Sequence, residues 1–104
     1  MNINTINNTN IATKGKYSAG CDLISGKTLA LNIIKDNKTK NVHSLEYQLQ
    51  NRHIDDIRPL KGYKKCSSTG LTKDAITSFF EDMKSTAKEN IDYLIDFAKV
   101  ICSK

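Results

Sequence analysis

The chain predicts an α+β fold, a three-stranded antiparallel meander packed against a long C-terminal helix, and three observations carry that prediction. Between Thr72 and Ile101 apolar residues recur at about 100° per residue, so that Ile76, Phe79, Phe80, Met83, Ala87, Ile91, Leu94, Phe97, Ala98 and Ile101 form one stripe. From Lys16 to Gln50 the period is two instead, and the alternating runs are separated by the turn sequences Ser25-Gly26-Lys27 and Asp36-Asn37-Lys38. At 104 residues the chain supports a single core that buries roughly two-thirds of its unfolded surface. One α+β domain over residues 16–104, preceded by a polar arm over 1–15, is therefore expected.

The arm is polar and low in complexity, with Ile3, Ile6 and Ile11 as its aliphatic anchors, a composition that favours a flexible segment. In the first strand Tyr17, Ala19, Cys21 and Leu23 alternate with Lys16, Ser18, Gly20 and Asp22, the pattern of a half-buried strand. Thr28–Lys35 carries Leu29, Leu31 and Ile33 on one side and Ala30, Asn32 and Ile34 on the other, apolar enough to be central. His43, Leu45, Tyr47 and Leu49 alternate with Ser44, Glu46, Gln48 and Gln50 to give a third strand that would place His43 on the apolar face. A helix through Val42, Leu45, Leu49 and Ile57 competes with that reading. Further on, His53–Ile57 suggests a helical turn before Pro59, and Lys61–Gly70 reads as a loop rich in Lys, Ser and Gly.

Thr72 is placed to cap the C-terminal helix, with Asp74 complementing its dipole. A straight helix over Lys73–Ile101 would reach about 43 Å, well beyond the ~26 Å diameter of a 100-residue globule. Thr86 and Glu89 have the spacing of a capping box, so a kink or a second helix start is expected at Ser85-Thr86. Heptads with Phe80, Ala87, Leu94 and Ile101 in one register and Ile76, Met83, Asn90 and Phe97 in the other offer a homodimeric coiled coil as the rival. The stripe is wider than a two-position seam, since Phe79, Ile91 and Ala98 extend it to about 120°, which favours a helix lying on a sheet.

Composition bounds the function. The three cysteines are odd in number and no apolar leader precedes them, which predicts a reducing, cytoplasmic setting. No apolar run approaches the ~20 residues that cross a bilayer, so no membrane partner is expected. Fourteen of the sixteen basic residues are Lys, and ten residues are Asn, a usage that suggests an AT-rich genome, as in many phages, mobile elements and some bacteria, among which composition does not choose. The net charge of +5 is uneven: residues 1–70 hold eleven basic against five acidic residues, and residues 71–104 hold five against six. Basic surface on the front two-thirds of the chain points to an acidic protein face or to nucleic acid.

Topology sharpens this. In a meander the start of strand one, the end of strand two and the start of strand three share one end of the sheet, which gathers Lys14, Lys16, Lys35, Lys38 and Lys40 around Asp36. A second basic element, Lys61-Gly62-Tyr63-Lys64-Lys65, sets an aromatic ring among three ammonium groups, suited to phosphates with a base stacked on Tyr63. With only Arg52 and Arg58 as arginines, nucleic-acid binding through these residues would be directed at the backbone and weakly specific. The bland reading of both clusters is that lysines near turns and edges keep a sheet soluble.

Catalytic signatures are weak. Ser25-Gly26-Lys27-Thr28 resembles the tail of a phosphate-binding loop, but that spacing requires Gly where Cys21 stands. His43 and His53 could serve as acid and base in metal-free RNA cleavage. The Cys and His residues lack zinc-ligand spacing, and Asp55-Asp56 and Glu81-Asp82 lack further carboxylates at ligand spacing, so no metal or cofactor is expected. The favoured reading is a small non-catalytic protein of the inhibitor, immunity or phage counter-defence type that binds an acidic protein. A nucleic-acid-binding module is the alternative, and a ribonuclease toxin using His43 and His53 the third.

Overall fold

Alternation in the first half of the chain becomes four antiparallel strands in the computed structural model, which describes residues 14–52, 60–88 and 91–102. Strands β1 (Lys14–Asp22), β2 (Lys27–Asp36), β3 (Val42–Asn51) and β4 (Lys61–Cys66) form one sheet in the order β1-β2-β3-β4. Helices α1 (Lys73–Ala87) and α2 (Asp92–Cys102) follow. The fold is α+β as expected, with a fourth strand and with two helices in place of one long kinked helix. Residues 42–50 are strand, so the competing helix does not form. The expected helical turn at His53–Ile57, most of the arm, and Glu89 of the capping box lie outside the described residues.

Both central strands bury one face. Leu29, Leu31 and Ile33 of β2 stand opposite Leu49, Tyr47 and Leu45 of β3, and all six belong to the core. At Gly26 the β1–β2 turn needs a left-handed backbone (φ 88°), which glycine adopts without a Cβ clash. The β2–β3 hairpin closes with Asp36 N donating to the Asn41 carbonyl, while the Asp36 carboxylate accepts from the amides of Lys38 and Thr39. Those two amides hold the Asp36 carboxyl below the usual carboxylate range, with smaller help from His43 and Lys14.

The register slips at the mouth of this hairpin. Ile34 pairs with Ser44 but Lys35 pairs with Val42, leaving His43 as the extra residue of a β-bulge. Strict alternation would have sent His43 to the apolar face. Instead Val42 takes the core position, and half-buried His43 places Nδ1 3.0 Å from the Ser67 carbonyl.

The segment read as a lysine-rich loop is largely β4, paired with β3 from Ser44↔Cys66 to Leu49↔Lys61. Its alternation was hidden because lysines flank its one aromatic. Tyr63 tucks under α1, its ring stacked on Phe79 with centroids 5.9 Å apart and planes 16° from parallel. Tyr47 completes this aromatic group at 5.6 Å from Phe79.

The helical stripe packs where its period predicts. Phe79, Met83 and Ala87 of α1, Ile91, and Leu94 and Ala98 of α2 are buried, while Ile76, Phe80, Phe97 and Ile101 flank them half-buried. Thr72 Oγ1 caps α1 by accepting from the Ala75 amide at 3.1 Å. The break comes three residues after Ser85, at Lys88, whose left-handed backbone (φ 50°) closes the helix through its N–H on the Lys84 carbonyl. Thr86 is therefore interior to α1. Its hydroxyl meets that of Tyr47 at 2.8 Å, and Tyr47 also donates to Asp82. Helix α1 lies over β3 and α2 over β1 and β2, so Met83, Ala87 and Leu94 of the heptad seam are consumed within one chain.

Candidate functional site

Three contacts gather the chain at the end of the sheet that holds the β2–β3 turn. The Leu71 amide donates to the Val42 carbonyl at 2.7 Å, which anchors the approach to α1. Gly70, with φ of 112°, sits so close to Asn41 that an added Cβ would lie 3.1 Å from the Asn41 side chain. Lys35 donates from Nζ to the Ile101 carbonyl, which pins the last turn of α2 to the same end. The two helices are thus antiparallel, with the start of α1 beside the finish of α2.

This convergence decides which lysines stand at one end of the molecule. Lys14 pairs across the sheet with Asp36 and Lys16 with Ile34; both are exposed, as are Lys38 and Lys40 in the turn. Lys40 adopts a left-handed backbone (φ 67°), a conformation that costs a non-glycine residue about 1 kcal/mol. Lys35 does not join them. Alternation with Leu29, Leu31 and Ile33 turns it to the covered face, where it is 5% exposed and its ammonium group satisfies a helix-terminal carbonyl. In its place the antiparallel helices bring Lys73 and Lys99, both exposed and both lining one groove. Pattern reading missed these two because they are 26 residues apart in sequence and meet only when α2 folds back along α1. The side of Lys35 was legible in the strand alternation.

The second predicted cluster disperses. Lys61 lies at the far end of β4, opposite Leu49, while Lys64 stands opposite Glu46 and Lys65 opposite Leu45. Lys65 Nζ lies 5.7 Å from the Tyr63 ring centre, a cation–π contact on a ring whose other neighbours are Tyr47 and Phe79. Tyr63 is half-buried and packs against the core through Phe79 and Tyr47.

No described helix covers the other face of the sheet. Ser18 donates to Asn32 at 2.7 Å, Thr28 to Asp22 at 3.1 Å, and Arg52 pairs with Asp22 at 3.5 Å. Glu46 and Lys64 face each other across β3 and β4. Among the described residues this face is mixed in sign and carries no aromatic side chain.

Among the described residues no group of three or more His, Cys, Asp or Glu is placed to hold a metal ion, and no helix is long and apolar enough to cross a membrane. His53 lies outside the described residues, so its distance from His43 is not defined. No protein-family model, curated protein or solved structure matches the chain.

Proposed function

We propose that this protein acts without catalysis, binding an acidic surface of another protein through its lysine-rich end, in the manner of inhibitors, immunity factors and phage or mobile-element counter-defence proteins. The observation that carries the reading is the convergence of exposed Lys14, Lys16, Lys38, Lys40, Lys73 and Lys99 at one end, where Asp36 is engaged by its own turn. Like charges crowded on a rigid frame steer an acidic partner and fix its orientation more than they add raw affinity.

Nucleic acid fits this surface less well. Tyr63 packs on Phe79, and among the described residues the open sheet face mixes carboxylates with lysines and lacks aromatics. The ribonuclease reading draws no support from His43, whose Nδ1 is engaged by a backbone carbonyl.

The test is capture from a lysate of the source organism or its host, followed by affinity measurement on the captured protein. Replacing Lys38 and Lys40 by Glu should weaken binding by about tenfold or more, equivalent to ~1.4 kcal/mol. Lys84→Glu, on exposed α1 surface nearer its other end, should change it little. Fluorescence anisotropy against duplex DNA and structured RNA at ~50 and ~200 mM salt runs in parallel. Binding that collapses with salt on intact probes would replace the proposal with a nucleic-acid module, and shortened RNA with a nuclease.

A further inference from the structure

The apolar stripe of the helices is wider than the sheet can cover. On α1, Phe79 and Met83 are fully buried, whereas Ile76 and Phe80 of the same stripe remain half-buried. Together with Cys102 of α2 they form the apolar lining of an open groove of about 630 Å³ between the two helices. Thr77 is the exposed residue beside this lining, and Lys73 and Lys99 stand on opposite helices at its banks. Among the described residues no carboxylate lines the groove.

We propose that this groove receives the apolar face of an acidic amphipathic helix belonging to the protein partner. The inference rests on the protein-binding reading above and deepens it by naming what the partner presents. An amphipathic helix lays residues i, i+3 or i+4, and i+7 into a groove of this kind. The groove extends about 10.5 Å along α1 from Lys73 to Phe80, and its apolar floor from Ile76 to Phe80 takes about 6 Å of that, the distance between i and i+4 on the incoming helix. Carboxylates beside those anchors would meet Lys73 on one bank and Lys99 on the other, with Lys38 and Lys40 at the same end of the molecule. A basic or neutral helix would place its polar face against uncompensated ammonium groups.

The test uses a fluorescein-labelled synthetic helix of about sixteen residues, with Leu at i, i+3, i+4 and i+7 and Glu predominating elsewhere. A scrambled peptide of identical composition controls for charge alone. The ordered peptide should bind about tenfold or more tightly than the scrambled one. Thr77→Trp, which fills the groove from an exposed position, and the double reversal Lys73→Glu/Lys99→Glu should each reduce the ordered peptide to the scrambled level, with the melting temperature essentially retained. Equal affinity for both peptides, no binding of the ordered peptide, or indifference to the groove variants overturns the proposal. So does displacement of the ordered peptide by laurate, which would assign the groove to a small amphiphile, or a dimer dissolved by Thr77→Trp, which would assign it to a second copy. If the captured partner responds to Lys38→Glu/Lys40→Glu but not to the groove variants, the lysine-rich end stands and the groove falls. If it responds to neither, both fall.

Discussion

Lys35 and Tyr47 place polar groups where the core meets the helices. Lys35 runs its aliphatic stem along the covered face and delivers its ammonium group to the Ile101 carbonyl. Lys35→Ala removes both, and urea denaturation should show a loss of about 2–3 kcal/mol; Lys35→Met keeps the stem and should lose about 1–2 kcal/mol. Tyr47→Phe strands Asp82 and Thr86 without their phenol partner and should cost about 1–2 kcal/mol. Ionisation gives these sites a pH signature. Burial pushes the Cys102 thiol up to about 11, with Lys35 offsetting part of the rise. Burial also raises the Tyr47 phenol, with the Asp82 hydrogen bond adding to it. Both groups keep protons that the unfolded chain releases at alkaline pH, so their contribution is intact at neutral pH and is lost as pH rises, for Cys102 between the ordinary thiol range and about 11. Denaturation midpoints should therefore fall across that window, and less steeply in Cys102→Ala. Alkylation at pH 8 should follow exposure, Cys66 reacting first and Cys102 last.

The helices owe their limits to their ends. Thr72→Ala frees the Ala75 amide and should cost about 1 kcal/mol by thermal or chemical denaturation. Lys88→Gly relieves a lysine held at φ 50° and should stabilise by about 0.5–1 kcal/mol. Destabilisation by Lys88→Gly would mean that Lys88 contributes contacts exceeding its backbone strain. Strand β4 was the element least legible in sequence, because lysines on both its faces mask a period of two. Those lysines are the device that keeps an edge strand from pairing with another chain. Tyr63 is the one aromatic turned inward, with Lys65 beside it, and one aromatic in six residues is too short a pattern to separate a strand from a loop.

Across the molecule, charge and packing segregate. Among the described residues the helices cover one sheet face, the other is largely polar, and Lys14, Lys16, Lys38, Lys40, Lys73 and Lys99 stand at one end. That crowding has a cost in self-repulsion, so charge reversal there should leave stability intact or raise it. Lys38→Glu/Lys40→Glu changes the formal net charge from +5 to +1, two units per reversal. Its melting temperature should stay within about 2 °C of the parent or exceed it, while partner affinity falls. A melt lowered by more than that would assign Lys38 and Lys40 to the turn's structure and withdraw them from the binding surface.

The α+β class, the hairpin turns, the helical stripe and the Thr72 cap were all legible in the chain, because each depends on local periodicity or on residues within one turn of each other. The bulge at His43, the strand identity of Lys61–Cys66 and the partner of the Lys35 ammonium group were not legible in this way, although the side of Lys35 was. Each depends on contacts beyond the local chain: Val42 displaces His43 opposite Lys35, Phe79 receives Tyr63, and the Ile101 carbonyl of α2 receives the Lys35 ammonium. The candidate site divides in the same way. Lys14, Lys16, Lys38 and Lys40 follow from hairpin connectivity, whereas Lys73, Lys99 and the groove between them exist only because two helices fold back on each other. Local sequence sets backbone period and capping, but which side chains share a surface depends on contacts between residues far apart in the chain.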